Sequence, residues 1–409
     1  MRKGSRLGAR GRGVLLLLTW ALAGPVIVPQ MSTAPAADQP GVPPPSAYAG
    51  EAACAQCHRK ESEYYGQTPH ARDSSAATAQ HIIGPFTAGH NVLPTSNPNL
   101  IVKMVSAPDG FYQTAVNLAN PSSQLSERFD IVIGSGRHGQ TYLFWDGDQL
   151  FELPASYWTW NHEWVTSPGF PAGQVHFDRP VAPRCLECHA SYFTSQPPPL
   201  NRFAKDSLVL GIHCERCHGP GAEHVARERS TATHSGVGDP GIVNPAHLVR
   251  ERQLDLCALC HAGAVDPLRP PMTFMVGANV RDYLAIPPVP DAPVDVHGNQ
   301  VGALEQSKCF TSSNMTCSTC HNVHEKQEEA DSFSRHCLTC HQVQACGRYR
   351  TLGQAIRTRC VDCHMPLVES AKITSASGGG TLHALLRAHK IKVYPEVSER
   401  LEHTILKGK

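Results

Sequence analysis

The 409-residue chain has no long apolar run beyond its N-terminus, few aromatics and almost no net charge. Hydrophobic residues make up 41% and aromatics 7%, a thin supply for the core of a chain long enough to hold two or three domains. A formal charge of +1 argues against nucleic acid as a partner. No segment after residue 28 is long and apolar enough to cross a bilayer, so no transmembrane span is expected in the mature chain. Cysteine is missing before Cys54, which argues against a lipid anchor near the start. Regular structure is also short of room, because 33 Pro and 33 Gly break the chain into turns and short elements.

The start of the chain reads as an export signal. Arg2, Lys3, Arg6, Arg10 and Arg12 precede a short apolar stretch from Val14 to Ala23, and Ala21-Leu22-Ala23 offers a small-residue cleavage site. The stretch is short for a membrane anchor and runs into Pro25. We therefore expect a signal peptide over 1–23, a periplasmic or otherwise exported mature chain, and a Pro/Ala-rich linker over 24–49. Losing the five basic residues of the leader makes the mature chain net acidic.

Cysteine is abundant and almost all of it is patterned. Cys-x-x-Cys-His occurs seven times: Cys54/Cys57/His58, Cys185/Cys188/His189, Cys214/Cys217/His218, Cys257/Cys260/His261, Cys317/Cys320/His321, Cys337/Cys340/His341 and Cys360/Cys363/His364. This is the attachment motif of c-type haem, in which two thiols add to the porphyrin vinyl groups and the adjacent His becomes the proximal iron ligand. Random order would give far fewer than one copy. The expected cofactor is therefore seven covalent haems c with their iron. Porphyrin faces would also supply apolar bulk that the side chains lack. A zinc protein would need Cys-x-x-Cys pairs but no His directly after each one.

Of 23 His, more than two remain per motif after the seven proximal ones are set aside, against seven Met in all. That surplus favours bis-His iron and low reduction potentials. Cys309 and Cys346 belong to no motif, and in an oxidising compartment an even remainder favours a disulfide between them.

The motifs group along the chain. A four-haem part over 50–262 and a three-haem part over 297–409 are separated by a Pro-rich connecting loop, 263–296. A helix is expected from about Glu51 to Tyr65, and a last amphipathic helix from Pro395, with Val397, Leu401 and Ile405 on one face. The long gap between the first two motifs carries strand signals at Phe129–Ile133, Thr141–Trp145 and Gln149–Leu153, the last two joined by Asp146-Gly147-Asp148. Gly134-Ser-Gly-Arg-His-Gly139 matches a dinucleotide fingerprint, but a strand-like run follows it where a helix is needed.

Several segments together resemble exported multihaem cytochromes with a cytochrome c-552/c-554-type domain. They are Cys54 to Ala71, Ile212 to His224 with its Cys-His-Gly-Pro-Gly-Ala-Glu-His, Asp295 to His324, and Cys360 to Pro395 with its Cys-His-Met-Pro. The resemblance implies a multihaem cytochrome c fold: mainly short α-helices and irregular loops around stacked haems, here with a small antiparallel β insertion near 129–165. It also implies distal iron ligands at His70, His224 and His324, with His297 and His389 at ligand positions of longer relatives; His162, His176 and His213 are weaker candidates. The function implied is electron relay to other redox proteins, such as a membrane quinol-oxidising complex or a terminal reductase. The alternative is an oxidoreductase with one open iron acting on a small nitrogen or sulfur compound, for which Arg137, His138, Tyr157 and His162 are candidate polar groups. No Cys-x-x-Cys-Lys is present to support a nitrite-reductase reading.

Overall fold

In the computed structural model, the residues described are 41–230, 241–287, 298–326, 329–378 and 380–407. The leader and most of the linker lie outside them, as does His297. Residues 38–409 form one compact unit.

Two antiparallel sheets fill the gap after the first motif. One has four strands in sequential order, Val92–Pro94, Leu100–Ala107, Gly110–Asn117 and Gln124–Arg128. The other has seven and gathers Ser74–Ala76, Ile131–Ile133, Gly139–Asp146, Gln149–Glu152, Ala155–Trp158, Glu163–Thr166 and Arg179–Pro180. The expected hairpin forms with Asp146 opposite Gln149, and Gly147 takes the left-handed conformation (φ 56°) that the turn needs. The run after Gly139 is indeed a strand.

The β region is larger than 129–165, since strands extend from Ser74 to Pro180. The additional hairpin pairs Leu100–Ala107 with Gly110–Asn117 around Pro108-Asp109. Its buried face includes Val102 and Met104, with Lys103 exposed between them, the two-residue alternation of a half-buried strand. Phe129, Tyr142, Tyr157 and Trp164 then pack edge to face or tilted, with centroids 4.5 Å apart for Phe129–Tyr142 and 5.3 Å for Tyr157–Trp164. Gly84 is required here, because a Cβ on it would lie 2.3 Å from the Trp164 ring.

The rest is short helices and loops. The expected first helix is two, Glu51–Cys57 and Arg59–Tyr65, broken at His58. A long hairpin, Leu367–Ser377 with Gly380–Arg387, was not anticipated in the C-terminal part. Its tip reaches the β region, where the Ala376 amide donates to the Thr166 hydroxyl at 2.8 Å. The final helix, Pro395–Lys407, is present and is tied to the preceding segment by Arg348 with Glu402. Among the described residues no helix is long and apolar enough to cross a membrane.

Candidate haem-binding sites

Attachment motifs sit at or near the ends of short helices. Pro183–His189 carries the second, Cys214–His218 the third, Arg250–His261 the fourth and Cys360–His364 the seventh. One helical turn brings a Cys and the fourth residue after it to the same side, where a thiol and an imidazole can serve one ligand.

Four motif His stand opposite a His from a distant segment. Ring centroids are 6.5 Å apart for His58 and His224, 6.1 Å for His218 and His324, 6.1 Å for His261 and His70, and 6.3 Å for His321 and His389. Two imidazoles each holding one metal at about 2 Å would have centroids about 6 Å apart. The first, second and fourth pairs have nearly parallel ring planes, and His261 and His70 are 70° apart. Every described residue from the expected distal set (His70, His224, His324 and His389) is in such a pair. Among the described residues no second imidazole stands at this spacing from His189, His341 or His364.

Ring orientation is fixed from behind. Nδ1 of His218 is 2.8 Å from the Val243 carbonyl, Nδ1 of His364 is 2.9 Å from that of Lys392, and Nδ1 of His389 is 3.0 Å from that of Arg387. An Nδ1–H donated to a carbonyl leaves the Nε2 lone pair free, which is the tautomer a metal needs. Burial lowers the pKa of His70, His218 and His261, and takes His389 down to about 4. These imidazoles are therefore neutral at pH 7, the form that binds a metal.

Neighbouring motifs touch through their thiols. The thiol of Cys54 lies beside that of Cys214, Cys188 beside Cys260, Cys257 beside Cys317, and Cys337 beside Cys360. Burial raises the pKa of Cys217 and of Cys320, and the nearby Cys260 and Cys340 thiols add to it in turn. The third motif is thereby next to the fourth, and the fifth next to the sixth.

Residues inside and beside the motifs build the same lattice. Glu215, within the third motif, accepts the amides of Ala49, Gly50 and Gly221 at 2.8, 2.9 and 2.7 Å, and so holds the start of the first motif's helix. Arg184 bonds Glu187 at 2.6 Å in the second motif and the Leu259 carbonyl at 2.6 Å in the fourth. Arg250 reaches from the fourth motif's helix to the carbonyls of Met315 and Phe310, beside the fifth. Ser334 accepts the Cys360 amide between the sixth and seventh. Sequence reading missed these residues. Only their place in or beside a motif could have marked them.

One expectation does not hold. Cys309 and Cys346 are free thiols rather than a disulfide. Cys309 lies near Cys320 and Cys337, whereas Cys346 packs with Val343, Leu352 and Ile356 and lies near Cys363. His213 has Nε2 2.8 Å from the Leu210 carbonyl, while Nδ1 makes no hydrogen bond and has the Glu51 carboxylate 3.0 Å away. His162 is exposed at φ 58°, and His176 bonds Asp178. The Tyr157 ring packs on Trp164, and the His138 backbone carbonyl accepts the Thr159 amide. The described His, Cys, Asp and Glu do not gather in groups of three or more suited to a bare metal ion.

Residues 161–219 match the family described as cytochrome c554 and c-prime. Among solved structures, the outer cell wall cytochrome OcwA superimposes with a TM-score of 0.51 at 16% identity, over 87% of this chain and 81% of that one. The chain shares the fold of that protein. The undecahaem cytochrome from the S-layer of Carboxydothermus ferrireducens gives a TM-score of 0.39 at 17% identity, over 86% of this chain and 53% of that one. No curated protein matches.

Proposed function

We propose that this chain is an exported electron relay with seven covalent haems c, one at each Cys-x-x-Cys-His. The observation that carries the reading is the set of four His pairs, each joining a motif His to a His from a distant segment at 6.1–6.5 Å. Bound haem would supply one-electron iron chemistry and apolar bulk. The polypeptide would supply thiols for attachment, two imidazoles to hold the group at each of the sites of His58, His218, His261 and His321, and the spacing between sites. His297 remains a candidate ligand for an iron whose second imidazole is unassigned.

The thiol neighbours support one order of the motifs. First, third, fourth, fifth, sixth and seventh motifs follow one another, and the second branches from the fourth through Cys188 and Cys260. In this reading 50–262 carries four haems, 297–409 carries three, and the Arg250 bridge and the Cys257–Cys317 contact join the two groups. Other redox proteins, such as a quinol-oxidising complex or a terminal reductase, would dock at the ends. A haem enzyme with an open iron is the competing reading, and His189, His341 and His364 mark where to look for it.

Intact mass and the pyridine haemochrome spectrum of the purified protein test the cofactor count. Seven haems are expected, and a colourless protein would end the proposal. EPR of the oxidised form, with carbon monoxide added to the reduced form, tests the relay. Low-spin iron throughout with no carbon monoxide adduct is expected. A high-spin site that binds carbon monoxide would move the assignment to the enzyme.

A further inference from the structure

His189 is held differently from the other motif His whose backing is described. Where His218 and His364 donate to neutral backbone carbonyls, Nδ1 of His189 is 2.7 Å from a carboxylate oxygen of Asp73. The backbone that carries the carboxylate is itself fixed. The Asp73 carbonyl accepts the Gly134 amide at 2.6 Å, and the next residue opens the strand Ser74–Ala76 that pairs with Ile131–Ile133. The Ser74 hydroxyl donates to the His189 carbonyl and accepts the Gly211 amide at 2.8 Å. The backbone at Asp73 therefore cannot move away from His189 without breaking the sheet edge and the link between the second and third motifs.

An anionic acceptor on Nδ1–H draws that proton and makes Nε2 a stronger electron donor. Stronger donation stabilises ferric over ferrous iron, so the reduction potential falls. We propose that Asp73 is a positioning and tuning residue for the Cys185–Cys188–His189 site, lowering its potential relative to sites backed by carbonyls. This rests on the haem assignment above. It also fits the branch position, because the second motif meets the fourth through Cys188 and Cys260. Three residues before Asp73, His70 faces His261 of that fourth motif. One electron shared between the two sites leaves the Asp73-backed iron and resides on its neighbour, so the branch is the last of the two to be reduced.

The test is a spectroelectrochemical titration of the full haem-loaded chain, wild type against Asp73→Asn, with Asp73→Glu as the variant that keeps the carboxylate. Asp73→Ser replaces the Asn variant, with the same outcomes, if the latter does not mature with a full haem count. The expected result is one midpoint raised on the order of tenfold in equilibrium constant, about 59 mV for a one-electron couple, with the other midpoints unmoved. The Glu variant should move less. Superimposable titrations, or a Glu variant shifted as far as the neutral one, would overturn the proposal. Failure of the haem assignment is distinguishable, since it shows as missing haem in the wild type before any variant is made.

Discussion

The β region and the C-terminal segment solve the same packing problem by different means. Over 74–180 the chain buries its own core: Val102, Met104, Tyr142, Leu150 and Leu153 are fully covered, and an aromatic cluster fills the space between strands. Over 298–407 the buried apolar residues described are Phe310, Val343, Leu352, Ile356, Val361 and Ala388, scattered among helices of four to thirteen residues. Ser307, Ser334 and Ser398 are buried there too, and their hydroxyls hold backbone groups together. Removing apolar area from water contributes roughly 25 cal/mol per Å², so the second region cannot draw much stability from its side chains alone. In the proposed reading porphyrin faces make up the difference.

The sharpest way to break this comparison is to make the whole chain without haem attachment. Residues 298–407 should then exchange amide hydrogens and be cleaved well before 74–180, as read by mass spectrometry of the intact chain and of its proteolytic fragments. Equal protection of the two regions would show that the C-terminal segment has a core of its own and would remove the contrast. The converse experiment is Trp164→Ala. It empties the centre of the aromatic cluster, and large-to-small changes of this kind cost about 3–5 kcal/mol. Loss of stability in denaturant with an unchanged haem count is expected. A variant that loses haem as well would mean that the sheets and the motifs fold as one cooperative unit.

The same contrast explains what could be read in advance. Strands with two-residue alternation and an Asp-Gly turn are local signals, and the hairpin at Asp146-Gly147 was legible from them. The hairpin around Pro108-Asp109 carries the same alternation in Leu100, Val102 and Met104, and an Asp109-Gly110 step; the Pro preceding it hides the turn. Motif Cys and His are legible because their chemistry demands fixed spacing. Pairing is another matter. His58 and His224 meet through a turn of the chain 166 residues long, and nothing local in either segment names the other. Asp73, Glu187 and Glu215 were invisible for the same reason, since an acidic residue looks like any solvated carboxylate until its donors are in place. The disulfide expectation failed on this point as well: counting left two Cys over, but Cys309 and Cys346 pack beside different motifs.

A smaller effect sharpens the comparison from inside the motif lattice. If the haem-bearing parts depend on polar cross-links as well as on porphyrin, then Glu215 should matter without touching any apolar core. Its two oxygens accept three backbone amides, from Ala49, Gly50 and Gly221. Gly50 caps the helix that carries the first motif, and its positive φ of 80° turns the amide toward the carboxylate. Glu215→Gln removes the charge and replaces one acceptor oxygen with an NH₂ group, which faces an N–H and leaves at least one donor unpaired. Hydrogen bonds to a charged group contribute about 1.5–3 kcal/mol, and an unpaired donor costs about 1–3 kcal/mol, so a loss of about 2 kcal/mol is expected in chemical denaturation. The loss should be local: the EPR signal of the His58–His224 site broadens or shifts, while the β region keeps its protection. A change within about 0.5 kcal/mol, the range of ordinary surface substitutions, would mean that thioether attachment alone holds the first and third motifs together.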